Sequence, residues 1–154
     1  MVVGEQPGDQ EDRGGRPFIG PAGKLLDRAL AAAGLDRKQL YLTNAVKHFK
    51  WEPRGKFRLH AKPSAREVAA CRPWLEAELR RIKPKLIICL GGTAARSVSG
   101  EEIKVTQERG KKRATEFGAP ALITLHPSAL LRFPDGADRE AEFEKFLEDL
   151  RKAV

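Results

Sequence analysis

Two kinds of apolar pattern alternate along the chain. Short runs suited to strands occur at Val2-Val3, Leu40–Val46, Lys85–Leu90 and Ala121–Leu125. β-branched, aromatic and aliphatic residues at this length suit strands, and Lys85–Leu90, ending in Gly91-Gly92, reads as a strand buried on both faces. Between these runs the apolar period lengthens. Leu25, Leu26, Ala29, Leu30 and Ala33 recur at helical spacing after Pro21 and stop at Gly34, the usual order of helix start and stop signals. Ser64 and Glu67 form a capping box that opens a helix through Val68, Cys71, Leu75 and Leu79 to about Ile82. A further helix begins at Thr93–Val98, and a last one over Asp138–Lys152 carries Phe143, Phe146, Leu147 and Leu150 on one face. The stretch from Lys47 to Pro63 is polar, basic and without period, so a long structureless loop is expected there; such loops are often functional. Lys111, Lys112 and Arg113 interrupt the pattern and read as a solvated turn. Strand alternating with helix predicts a three-layer α/β/α sandwich with a mainly parallel central sheet. There is no internal repeat, low-complexity segment or linker, and 154 residues suit a single domain over 1–154.

Charge narrows the partner. Lys and Arg total 29 against 21 Asp and Glu, a formal charge of +8 that favours a polyanion, nucleic acid ahead of an anionic membrane surface. No apolar run approaches the roughly 20 residues that span a bilayer, and no charged-then-apolar leader is present, so a soluble, cytoplasmic monomer is expected. Two cysteines, Cys71 and Cys89, are too few for a secreted disulfide scaffold; each is a candidate buried thiol or metal ligand.

The most chemically specified stretch is GEQPGDQED, Gly4 to Asp12, which follows Val2-Val3 directly. In open α/β sheets ligands bind outside the carboxyl ends of the strands, which places Glu5, Gln6, Asp9 and Asp12 where chemistry occurs; Gly4 and Gly8 allow close approach. The competing reading of Asp9, Gln10 and Glu11 is an acidic surface turn. Two other polar clusters fall at strand ends: Asn44 with the basic segment after it, and His126-Pro127-Ser128. Neighbouring strands would merge the three into one site. A nucleotide-binding α/β domain is the unrelated alternative, but the chain has neither a Walker sequence nor G-x-G-x-x-G.

These residues resemble the uracil-DNA glycosylase superfamily, whose first motif follows the first strand and whose last is an HPS triplet leading into a leucine-bearing loop. That last segment is HPSALLR here, His126 to Arg132. RPFIGPAG (Arg16–Gly23), TNAVKH (Thr43–His48) and ACRPWL (Ala70–Leu75) extend the resemblance over nearly the whole chain. Within the superfamily, GEQPGDQED and a basic loop ending in histidine look like the UdgX type, relatives of the iron–sulfur family-four enzymes that become covalently attached to DNA after removing uracil. The loop is RGKFRLH, Arg54–His60. Phe57 departs from the family pattern, which has arginine there; Leu59 is conservative and His60 is retained.

The resemblance implies roles. Uracil must be flipped from a duplex or met already single-stranded. Phe18 would stack on it beside Gly4, and Asn44 would accept from uracil N3–H and donate to O4, an arrangement that cytosine opposes. Breaking the glycosidic bond leaves negative charge on the base and positive charge on the sugar. His126 would donate toward uracil O2, as in an oxyanion hole. Glu5 would stabilise the sugar or orient the nucleophile, with Gln6 and Asp9 shaping the same wall. His60 would replace water as the nucleophile, leaving an alkylated imidazole on an abasic sugar. Arg54, Lys56 and Arg58 would follow the DNA backbone, Ser128 and Arg132 would touch it, and Leu130 and Leu131 would fill the space left by the flipped base.

Iron–sulfur relatives hold a 4Fe-4S cluster through a C-x₂-C pair near the N-terminus and two later ligands. His48 and Cys71 occupy the later two positions, and the N-terminal pair is absent. Two ligands do not hold such a cluster, so no intact one is expected, and the chain reads as lacking an N-terminal segment. The alternatives to covalent trapping are a conventional hydrolytic glycosylase and a non-catalytic DNA-binding remnant.

Overall fold

A computed structural model describes residues 1–154. In chain order it comprises β1 (Val2–Gly4), α1 (Asp9–Gly14), α2 (Pro21–Ala32), β2 (Leu42–Asn44), β3 (Trp51–Arg54), β4 (Phe57–His60) and α3 (Ala65–Ile82). There follow β5 (Ile87–Leu90), α4 (Gly92–Ser99), α5 (Val105–Glu108), β6 (Lys112–Arg113), β7 (Ala121–Thr124), α6 (Pro127–Leu130) and α7 (Ala137–Arg151). Five strands form one sheet in the order β2-β1-β5-β7-β6, with β2, β1, β5 and β7 parallel and β6 antiparallel at the edge. The three-layer expectation holds.

Alternation along each strand divides the core. Val3, Ile87, Cys89, Ala121 and Ile123 pack on one face with Leu75 and Leu79 of α3 and Ala94, Ala95 and Val98 of α4. Val2, Ile88, Leu90 and Leu122 pack on the other with Leu26 and Leu30 of α2 and Phe143, Phe146, Leu147 and Leu150 of α7. With both faces covered, β1, β5 and β7 are buried along their whole length, which is why they read as near-continuous apolar runs. No helix is long and apolar enough to cross a membrane.

Two expectations are corrected. The segment from Lys47 to Pro63 is not structureless, because β3 and β4 pair antiparallel as a hairpin with Trp51 opposite His60 and Arg54 opposite Phe57. Both strands are exposed along nearly their whole length, Arg58 alone being partly buried, so no buried face imposes a contiguous apolar run on them. Lys112–Arg113 is an edge strand rather than a solvated turn: it pairs with β7, while Lys111 and Arg113 both meet Glu108. Charged side chains on a short edge strand discourage pairing with another chain.

Topology places the site. Gly4 lies beside Asn44 and Leu90 beside Thr124, so the carboxyl ends of β2, β1, β5 and β7 are level. From β1 the chain winds first to β2 and later to β5, making the gap between β1 and β5 the topological switch point, where α/β sheets open a crevice.

Candidate active site

A cavity of about 1040 Å³ opens at that edge, lined among others by Glu5, Phe18, Asn44, His60, Thr93 and His126. It lies at the upper end of the roughly 300–1,000 Å³ of ordinary small-molecule pockets, room for more than a base. All three polar clusters anticipated at strand ends therefore share one site.

At one end stand Phe18, Asn44 and His126. Phe18 is buried and has φ 52, a left-handed conformation that a non-glycine residue adopts only when its surroundings impose it. The surroundings are identifiable. Arg37 donates to the carbonyls of Phe18 and Pro17, both at 3.0 Å, and pairs with Asp27. Gly23, in α2, lies so close that a Cβ there would fall 2.0 Å from the Phe18 carbonyl oxygen. Gly4 is equally constrained, since its Cβ would stand 2.5 Å from both Asn44 Oδ1 and Phe18 Cζ. Asn44 Oδ1 is buried without a hydrogen-bond partner, an acceptor left for something in the cavity.

His126 caps α6: its Nδ1 accepts from the Ser128 N–H at 3.1 Å and lies 2.8 Å from the Ser128 hydroxyl. An Nδ1 that accepts places the ring proton on Nε2. Burial pushes His126 down to about 4, with Glu5 opposing and His60 and Arg132 reinforcing the shift, so the ring is a neutral donor near pH 7. Its centroid is 6.2 Å from that of Phe18.

Glu5 and His60 form the other end. Glu5 Oε1 lies 3.5 Å from His60 Nε2, and Oε2 accepts from the Thr93 hydroxyl at 2.6 Å. The imidazole at this distance is the main reason the Glu5 carboxyl sits below its ordinary range; burial opposes it and Thr93 adds to it. His60 reaches Glu5 because its hairpin is fastened to the first motif. Gln6 donates to the Ala61 carbonyl at 3.0 Å and accepts from the Lys50 N–H at 3.1 Å, bracing both ends of the hairpin. Arg58 reaches Asp9 at 2.5 Å and Asp12 at 2.7 Å, beneath the rings of Phe49 and Trp51.

These contacts change several expected roles. Gln6 lines the cavity, yet its amide is engaged by the hairpin backbone rather than turned to a substrate. Asp9 lines the cavity while its carboxylate is shared between Arg13 and Arg58. Arg58 is neutralised by two carboxylates and so is not a free phosphate ligand. Leu130 is fully buried in the α2–α7 core and so is not available to fill a space in DNA, whereas Leu131 is 36% exposed on the cavity rim with Ser128 and Arg132. Arg54 and Lys56 stand exposed near the far turn of the hairpin, outside the cavity wall.

Sequence reasoning missed four positions. Glu11, weighed as part of an acidic turn, accepts from the N–H of Gly8 at 3.2 Å and of Gly20 at 2.8 Å, tying the first motif to the Phe18 loop. Gly23 and Arg37 support Phe18 from outside that loop. Thr93 follows the Gly91-Gly92 that ends a buried strand, a position whose proximity to a site was available from the pattern alone.

His48 and Cys71 come together only through backbone: the Lys47 N–H meets Cys71 Sγ at 3.5 Å, while the His48 side chain is exposed. No three His, Cys, Asp or Glu side chains gather where they could hold a metal. Two donors do not fit a four-ligand cluster.

Comparison with known proteins agrees with this geometry. Residues 1–151 match the model of the uracil DNA glycosylase superfamily. A type-4 uracil-DNA glycosylase of Thermotoga maritima is 38% identical over 155 residues, covering 99% of this chain and 74% of that protein. Another, from Pyrobaculum aerophilum, is 36% identical over 154 residues, covering 96% and 74%. A DNA polymerase of Bacillus phage SP01 is 31% identical over 139 residues, covering 90% of this chain but 14% of the polymerase. With a family match across almost its full length and relatives of this similarity, the chain belongs to the uracil DNA glycosylase superfamily.

Proposed function

We propose that this DNA N-glycosylase removes uracil from DNA and is then captured on the abasic sugar by His60, as in the UdgX type. The observation that carries the reading is the convergence in one cavity of a buried, unpartnered acceptor on Asn44 with an imidazole 3.5 Å from a carboxylate. Uracil enters between Phe18 and Asn44, where Oδ1 takes the N3–H and the amide donates to O4; cytosine presents no proton at N3 and a donor where O4 would be. His126 Nε2–H faces O2. As the C1′–N1 bond breaks, its electron pair stays on uracil, and the neutral imidazole stabilises that charge without itself being an acid at neutral pH.

The sugar becomes cationic beside the Glu5 carboxylate. His60 Nε2 then yields its proton to Glu5 and forms the bond to C1′. A nitrogen held in place competes with water because positioned groups reach effective molarities of about 10⁵ M or more. The neutral alkylated imidazole is a poor leaving group, so the protein acts once.

Incubation with a uracil-containing oligonucleotide followed by a denaturing gel tests this. A heat-stable shifted band is expected, and His60→Ala should lose it. Free abasic DNA from the wild type would instead identify a hydrolytic glycosylase, and unchanged DNA a non-catalytic binder. Retention of the band by His60→Ala would remove His60 as nucleophile.

A further inference from the structure

We propose that Thr93 is a positioning residue for Glu5: its hydroxyl holds one carboxylate oxygen so that the other is presented to His60 and the reacting sugar. This rests on the glycosylase reading of Glu5 and His60 but assigns a function to a residue on a different strand's connection. Glu5 follows β1 and Thr93 lies in the first turn of α4, after β5, so the 2.6 Å bond between them crosses the switch point of the sheet. It is the shortest tether available to Glu5, whose other oxygen is 3.5 Å from His60, too long for a well-formed hydrogen bond.

Local structure fixes the tether. Gly91 has φ 91 and turns the chain sharply from β5 into α4; a Cβ there would approach His126 Cβ at 3.2 Å. One residue beyond Gly92, Thr93 faces the cavity, while Ala94, Ala95 and Val98 are buried under the sheet. The Ser97 hydroxyl donates to the Thr93 carbonyl at 2.8 Å, steadying the same turn. Without the hydroxyl, Glu5 could rotate about its side-chain torsions toward either His60 or the other titratable group facing it, His126. With it, the carboxylate has one orientation, and the proton it receives from His60 goes to a defined oxygen, Oε1.

Thr93→Val keeps the shape and deletes the donor; Thr93→Ser keeps the donor and deletes the methyl. In single-turnover assays on uracil-containing DNA, Thr93→Val should slow adduct formation by roughly 10- to 100-fold, the range for losing a hydrogen bond to a charged group. Oligonucleotide affinity should stay within about twofold, because the carboxylate acts on the reacting centre rather than on binding. The acid limb of the rate profile should move to higher pH in Thr93→Val and stay in place in Thr93→Ser. A ¹³C titration of the Glu5 carboxyl reads the same contact without activity: it should move up in Thr93→Val alone. Wild-type rate and titration in Thr93→Val, or equal impairment in both variants, would overturn the proposal. A wild type that neither releases uracil nor forms adduct would overturn the glycosylase reading instead, and the titration would still decide whether Thr93 holds Glu5.

Discussion

Phe18, Asn44 and His126 are held at one end of the cavity by close packing, whereas His60 is held at the other by ion pairs and one glutamine. At the first end a glycine stands wherever a Cβ would collide: Gly4 against Asn44 and Phe18, Gly23 against the Phe18 carbonyl. At the second, Arg58 sits between Asp9 and Asp12, and Gln6 bridges Lys50 and Ala61. Packing depends on short-range repulsion, which neither salt nor pH relaxes. Ion pairs at a surface are weakened by salt and released by acid. The Phe18 end therefore rests mainly on packing, with Arg37 and Glu11 adding polar ties, and is less open to salt than the His60 end.

The largest expected effect comes from breaking the packed end. Gly23→Ala would drive a Cβ into a backbone carbonyl that cannot move aside, at a cost of about 3 kcal/mol or more, which for a chain of this size lowers the melting temperature by roughly 6–12 °C. A thermal melt within a degree or two of wild type would show that the Phe18 loop is not packed as described.

Next in size is the clamped end. Arg58→Gln releases the hairpin from Asp9 and Asp12, and a shift of about 1 Å in a reacting group costs about 10²-fold in rate. Adduct formation should slow by that order while the melting temperature changes little, since both carboxylates are at the surface. High salt should slow the wild type in the same direction. Equal losses in rate and stability would erase the contrast between the two ends.

Acid separates them a third way. His126 is neutral in the folded protein down to about 4 but binds a proton below about 6.5 when unfolded. Between those values the unfolded chain binds more protons, so stability falls with falling pH, by about 2 kcal/mol from pH 7 to pH 5. Glu5, held below its ordinary value, contributes a further loss only below the ordinary carboxylate range. His126→Asn should flatten denaturant-derived stability over pH 7 to 5; an unchanged slope would mean that the ring is not the group responsible.

Phe57→Arg should give the smallest change. The ring is 78% exposed on the outward face of the hairpin, so stability should stay within about 0.5 kcal/mol. One added cation near the DNA path should steepen the logarithmic salt dependence of DNA binding by about 1. An unaltered slope would place that face away from DNA.

How much of this was legible differs by element. The helices at Pro21, Ser64 and Ala137 were, because proline, capping boxes and a 3.6-residue period act within a few residues of one another. The hairpin over 51–60 was not, because its alternating and largely exposed residues imitate a loop until the pairing of Trp51 with His60 is known. Leu130 and Leu131 are adjacent and chemically identical, yet one is core and the other rim. Arg58 reads as a phosphate ligand until Asp9 and Asp12, over forty residues earlier, are found to hold it.

By itself the sequence determined the layering, the presence of a site at the strand ends, and most of the residues gathered there: Glu5, Phe18, Asn44, His60 and His126. These follow from short-range periodicity, from glycine and proline chemistry and from family motifs. Only the tertiary structure decided which charged groups face the cavity and which face one another, and that Thr93 reaches Glu5. Such pairings join residues 49 and 88 positions apart, and their geometry depends on strand order and hairpin placement, which no local pattern contains.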